Sequence, residues 1–140
     1  MLGSRVVPKA GHSSGRHPMT HKSGHELSNE MDQCIRDCTE CHRVCVSTLR
    51  HCLEMGGEHA QAAHIALLQD CADMCQASAT FMIRGSQFHS AHCAMCAQVC
   101  ERCAEDCERF ADDELMRECA EVCRRCAESC ARMAGSSATA

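Results

Sequence analysis

Cys34, Cys38, Cys41 and Cys45 follow the spacing C-x3-C-x2-C-x3-C, which recurs at Cys96, Cys100, Cys103, Cys107 and again at Cys119, Cys123, Cys126, Cys130. Steps of four and three add to seven, so on a helix these thiols fall on one a/d stripe, the stripe that faces the centre of a bundle. Cys52 and Cys93 prolong two of the stripes. A further segment holds only Cys71 and Cys75, but its register adds His64, Leu68, Ser78 and Met82. All 16 cysteines are therefore expected to point inward.

A free cysteine behaves as a small hydrophobe and is often buried, so one or two such positions carry no message. Sixteen do. Choosing Cys over Leu or Ile at nearly every seam position forgoes roughly 1 kcal/mol or more of burial per site, and bound metal would fill the missing volume. Thiolates with a few thioethers and imidazoles, and without systematic inward carboxylates, suit Cu(I), zinc or iron–sulfur clusters rather than Mg, Ca or Mn. Iron–sulfur is the weakest of the three, because the C-x2-C-x2-C-x3-C-P run is absent and clusters need four ligands converging at a few places.

Structural zinc favours closed, discrete tetrahedral sites on loop-rich knuckles, whereas these ligands run along helices; zinc stays as the competitor. Cu(I) fits the spacing better. Residues i and i+4 have Cβ atoms about 5–6 Å apart, and two thiolates on one ion lie at most about 4.6 Å apart if the metal–sulfur bond resembles the roughly 2.3 Å of zinc. If each ion takes two thiolates and each thiolate serves two ions, capacity approaches one ion per cysteine. Such a number means storage rather than catalysis. No Ser/His/Asp set, paired carboxylates or phosphate loop is present, and sixteen equivalent thiols argue against one activated nucleophile; the chain is not expected to be an enzyme.

The stripes demand helices, and the punctuation between them sets the architecture. Ser28 is expected to cap a first helix to about Met55, stopped by Gly56-Gly57. A second runs from about Glu58 to Ile83 before Gly85-Ser86, a third from about Gln87 to Phe110, and Asp112 caps a fourth ending near Met133. Three short connections force antiparallel neighbours, hence an all-α, up-down-up-down four-helix bundle over residues 28–134. Residues 1–27, rich in Gly, Ser and His and holding both prolines, read as a disordered tail, and 135–140 as a disordered C-terminus.

Leu, Ile, Val and Phe make up only 19 of the 140 residues, so thiols and thioethers must fill much of the core. A net charge of −5 leaves no basic footprint for nucleic acid, and with neither Trp nor Tyr there are no aromatic stacking platforms. No stretch is long and apolar enough to span a membrane, and residues 1–30 contain no apolar segment of signal-peptide length. The expected location is the cytosol, where thiols stay reduced and dense cysteine means metal rather than disulfide.

The three spaced helices, the CHRVC and DCADMC segments, the FMIRGS turn and the HCAMCAQVCERCAEDC stretch resemble the bacterial four-helix-bundle copper storage proteins, specifically their cytosolic members. The resemblance covers residues 28–134. It implies multiple Cu(I) ions lining the bundle interior through the cysteines, loading at one end that bears His or Met ligands, and a homotetramer. Release by ligand exchange to a copper chaperone or a small thiol would follow.

The bundle ends can be read independently. Antiparallel order gathers Met31, Cys34, Met82, His89, Cys130 and Met133 at one end, with His92 beside Cys93; the other collects Met55, His64, Phe110 and Met116. The end with three thioethers and His89 is the expected loading mouth. His42, His51 and His59 fall off the seams and read as solvated or interfacial, and the charged residues of the last two helices, such as Glu101, Arg102, Glu121 and Arg125, as a solvated face. Besides Cu(I) storage, a zinc or mixed-metal thiolate buffer and a bundle whose cysteines form disulfides under oxidative stress remain as alternatives.

Overall fold

The computed structural model describes residues 24–136, with side chains from 28 to 135. The expected N-terminal tail lies outside them up to residue 23, and the C-terminal segment from residue 137. Four helices follow one another: α1 Gly24–Met55, α2 Ala62–Ile83, α3 His89–Glu108 and α4 Glu114–Ser136. Each packs against two neighbours, in the ring order α1, α2, α3, α4, as short connections require of an antiparallel bundle.

The first two helices stop where glycines follow them. Gly56, Gly57 and Gly85 have φ of 70°, 58° and 65°, values that only a residue without a Cβ adopts at no cost. At Gly85 the α2 terminus closes as a Schellman motif: the Gly85 amide donates to the Met82 carbonyl (3.1 Å) and the Ser86 amide to the Phe81 carbonyl (2.9 Å).

Four boundaries differ from the sequence expectation, the first being the end of α4, which runs to Ser136, past Met133 and into the segment expected to be disordered from 135. The α1 backbone is already helical at Gly24, so Ser28 lies inside the helix instead of capping it; Glu26 and Leu27 are good helix formers and nothing after Gly24 interrupts them. Residues Gly57–Ala60 form a separate 3-10 turn, because Gln61 is extended (φ −62°, ψ 138°) and α2 starts only at Ala62. Asp113, not Asp112, caps α4: its Oδ1 accepts the Leu115 amide at 3.0 Å.

The core is sulfur. All 16 cysteines are buried, none more than 1 % exposed, and all are free thiols. The larger apolar residues sit around or at the ends of this column, with Leu68 and Met116 fully enclosed and Val44, Val122 and Phe110 flanking. Outside, the Arg124–Glu108 ion pair (2.6 and 2.9 Å) joins α4 to α3 across a solvated face, and pairs such as Arg43 with Glu40 lie within one helix. Such exposed pairs contribute at most about 1 kcal/mol each. No described helix is long and apolar enough to cross a membrane.

Candidate metal centre

Heptad spacing delivers the thiols to the bundle axis, and antiparallel packing interleaves them. Near the end where α1 begins, Cys34 Sγ lies 3.8 Å from Cys130 and 3.9 Å from Cys38, and Cys38 is 3.5 Å from Cys130 and 3.6 Å from Cys126. In the middle, Cys75 Sγ lies 3.4 Å from Cys100, 3.6 Å from Cys126 and 3.7 Å from Cys96. Cys71 then meets Cys100 at 3.7 Å, and Cys41 and Cys123 at 3.9 Å, while Cys45 reaches Cys123 at 3.7 Å and Cys119 at 3.9 Å.

These separations match metal–thiolate chemistry. With metal–sulfur bonds of about 2.3 Å, two thiolates on one ion stand about 3.8 Å apart in a tetrahedral site and about 4.0 Å in a trigonal one. The sharing of ligands discriminates further. Cys38/Cys96/Cys126/Cys130, Cys75/Cys96/Cys100/Cys126, Cys41/Cys71/Cys75/Cys100 and Cys41/Cys45/Cys71/Cys123 are each quartets with all sulfurs within 4.8 Å of one another. They use only ten different cysteines, six of them twice. Closed zinc sites each claim four sulfurs exclusively, so these quartets cannot all be filled that way. Bridging thiolates can serve them all.

The column is capped differently at its two ends. At one, Cys34, Cys93 and Cys130 converge, Met82 and Met133 are buried, and Met31 packs against the core. His89 beside them turns its Nδ1 to the Ser86 carbonyl (2.9 Å), while His92 Nδ1 pairs with the buried Ser78 hydroxyl (2.7 Å). At the other end, His64 Nε2 stands 3.4 Å from Cys52 Sγ, and Cys52 lies 3.5 Å from the Met116 thioether. His64 is 2 % exposed, and its Nδ1 faces Asp106 Oδ2 at 2.5 Å. A carboxylate on the far nitrogen fixes an imidazole's tautomer and aims the near nitrogen as a ligand.

Asp106 is a residue that sequence reading missed. It sits off the thiol seam of α3 among charged neighbours, and only the long-range pairing of α2 with α3 reveals its partner. Burial opposes its ionisation, but hydrogen bonds from His64 and Arg109 outweigh that and hold the carboxyl below its usual range. His42, His51 and His59 are likewise more than solvated side chains. His42 Nδ1 meets the Ala72 carbonyl at 2.9 Å, and His51 and His59 both turn to Asp113.

Two thiols, one toward each end of the column, hold their protons more tightly than an ordinary thiol. The Cys52 thiol is pushed up to about 11, first by burial and then by the nearby acids and thiols. At Cys93 a hydrogen bond with Cys130 favours the thiolate, but the bond with Cys34 and burial prevail and push the thiol up to about 12. These thiols are therefore neutral at pH 7, and an ion that binds them must displace protons.

Residues 27–135 match the sequence profile of the copper storage protein family. The chain belongs to that family. Among solved structures, the Nmul_A1745 protein of Nitrosospira multiformis is 41 % identical, with a TM-score of 0.73 over 77 % of this chain and 97 % of its own. Cu(I)-bound copper storage protein BsCsp3 is 34 % identical, with a TM-score of 0.71 over 75 % of this chain and 98 % of its own. A cytosolic copper storage protein from Streptomyces lividans, loaded with five coppers, is 29 % identical at a TM-score of 0.70, over 80 % of this chain and 98 % of its own. Against the cysteine-rich protein YhjQ of Bacillus subtilis (strain 168), the match is 35 % over 69 residues; it covers 49 % of this chain and 64 % of that protein's length. In this member of the family the four helices enclose a cysteine column.

Proposed function

We propose that the chain stores Cu(I) in the cytosol at roughly one ion per cysteine, with no catalytic role. The observation that carries this reading is the overlap of buried sulfur quartets, which a set of independent tetrahedral ions cannot satisfy. The ligands are the 16 cysteines, with His64 completing the Cys52 site and Met31, Met82, Met133, His89 and His92 attending the opposite mouth. Family membership and the Cu(I)-bound relative support copper over zinc. The cytosolic relative supports the compartment. Anaerobic titration against a strong Cu(I) chelator tests the capacity. Uptake of more than about ten equivalents is expected from shared thiolates, whereas saturation near four would favour discrete zinc-like sites.

Copper enters at the Met31/Met82/His89/Met133 end. Its supports are the cluster of thioethers beside Cys34, Cys93 and Cys130, and the position of His92 next to Cys93. Replacing His89 and His92 together by Ala is expected to slow Cu(I) uptake in stopped-flow measurements and leave the final capacity nearly unchanged. Equal rates would discard this route.

The Cys52 site gives a second, narrower prediction. Asp106→Asn removes the carboxylate that orients His64, and a lost outer-shell partner typically costs 10–100-fold in metal affinity. That loss is expected in the equivalent bound at Cys52 and His64, with the other equivalents unchanged, as read by competition titration. Assembly as a homotetramer, with the exposed Val46, Leu53 and Leu115 available for burial between copies, and release of copper to a chaperone or small thiol complete the reading. Light scattering of the purified chain checks the former.

A further inference from the structure

Outside the thiol column, three potential ligands from three elements meet at the bundle base. His51 belongs to the last turns of α1, His59 to the 3-10 turn and Asp113 to the residue before α4. His51 Nε2 lies 2.6 Å and His59 Nε2 3.2 Å from the same oxygen, Asp113 Oδ2. All three side chains are about one-fifth exposed, within a solvent's reach yet packed.

The rest of the local structure aims this oxygen. Asp113 Oδ1 is held by the Leu115 amide at 3.0 Å, which leaves Oδ2 to face the imidazoles. The His59 ring is tilted against Phe110 at 4.2 Å, which limits its rotation. The triad opens on a cleft of about 560 Å³, also lined by Met55, Arg109 and Glu114. Arg109 does not oppose a cation fully, because its Nε is paired with Asp106 Oδ1 at 2.7 Å.

We infer that His51, His59 and Asp113 form a second metal site, independent of the thiolate column, which binds a divalent cation of the Zn2+ class. Two imidazoles and one carboxylate are nitrogen and oxygen donors suited to such an ion and poor for Cu(I), which prefers sulfur. Bonds of about 2.0–2.1 Å place ligand atoms about 3.3 Å apart in a tetrahedron. The two nitrogen–oxygen separations, 2.6 and 3.2 Å, need to open by at most about 0.7 Å to reach that spacing. Three protein ligands leave a fourth position, and the cleft supplies room for a water there. Bound zinc would join the end of α1, the 3-10 turn and the start of α4 over the Cys52/His64/Met116 end of the column.

The test separates this site from the thiols by filling them first. Protein loaded anaerobically with Cu(I), its copper content measured, is titrated with Zn2+, and crystals soaked in Zn2+ are measured above and below the zinc absorption edge. The expected result is a single tight equivalent and an anomalous peak between His51 Nε2, His59 Nε2 and Asp113 Oδ2. Both are expected to vanish in His51→Ala/His59→Ala. Asp113→Asn, whose amide oxygen can still cap α4, keeps the fold and is expected to weaken binding. Copper loading provides its own readout, so failure of the storage reading and failure of this one are distinct. No zinc at the triad, or zinc retained in the double variant, overturns the assignment and leaves a hydrogen-bonded His–Asp–His cluster.

Discussion

Cu(I) loading is expected to raise the midpoint of thermal unfolding by more than about 20 °C under anaerobic conditions. Each ion that binds the folded column and not the unfolded chain stabilises by about 4 kcal/mol when free ligand stands a thousandfold above its dissociation constant. For a domain of this size, 1 kcal/mol moves the midpoint by several degrees. Two or three ions at such saturation add about 8–12 kcal/mol, as much as the roughly 5–15 kcal/mol that holds an ordinary domain together. The empty form has a weak starting position, because small thiols occupy seam positions where Leu or Ile would bury more area. Differential scanning calorimetry of the empty and loaded protein measures the difference. A shift of only a few degrees would mean that copper binds outside the core.

The second large effect is alkaline lability of the empty form. The Cys52 and Cys93 thiols titrate near 11 and 12 in the folded chain, against 9.0 for an ordinary thiol. A group whose folded value is raised contributes stability that is fully present below the unfolded value and is lost as pH rises through the folded one. The window is therefore pH 9 to 12. Each of these two thiols withdraws on the order of 3 kcal/mol across it. Empty protein is expected to lose its helical circular dichroism in this range. Copper-loaded protein, whose thiols are already deprotonated and neutralised by metal, is expected to keep it. Acid works oppositely on the loaded form, since protons compete with copper for thiolate and affinity falls as pH drops. Equal alkaline midpoints for the two forms would contradict this account.

The column itself was legible in the sequence because its signal is local and repeated. Spacings of four and three fix a helix face without any knowledge of its neighbours, and three copies in one chain leave one way to bury them. The glycine stops at Gly56 and Gly85 were legible for a similar reason, since they act within one turn. What escaped depends on pairing across the fold. Asp106 and His64 are 42 residues apart and Asp113 and His51 are 62 apart, so neither pair belongs to any periodic pattern. Asp112 and Asp113 are adjacent candidates for the same cap, and the choice between them follows from how the chain leaves Phe110: the Asp113 amide donates to the Phe110 carbonyl at 3.0 Å. The 3-10 turn arises from two consecutive glycines with positive φ, which end α1 and delay α2 to Ala62.

Shared thiolates along one axis are the centre of this account, and a crystal structure of the copper-loaded protein measured at the copper edge tests them most directly. The expected map shows more than about ten anomalous peaks in a continuous file between Cys34 and Cys52, most of them flanked by sulfurs that also serve a neighbouring peak. Copper confined to about four separate tetrahedral positions, or found only on the surface histidines, would contradict it.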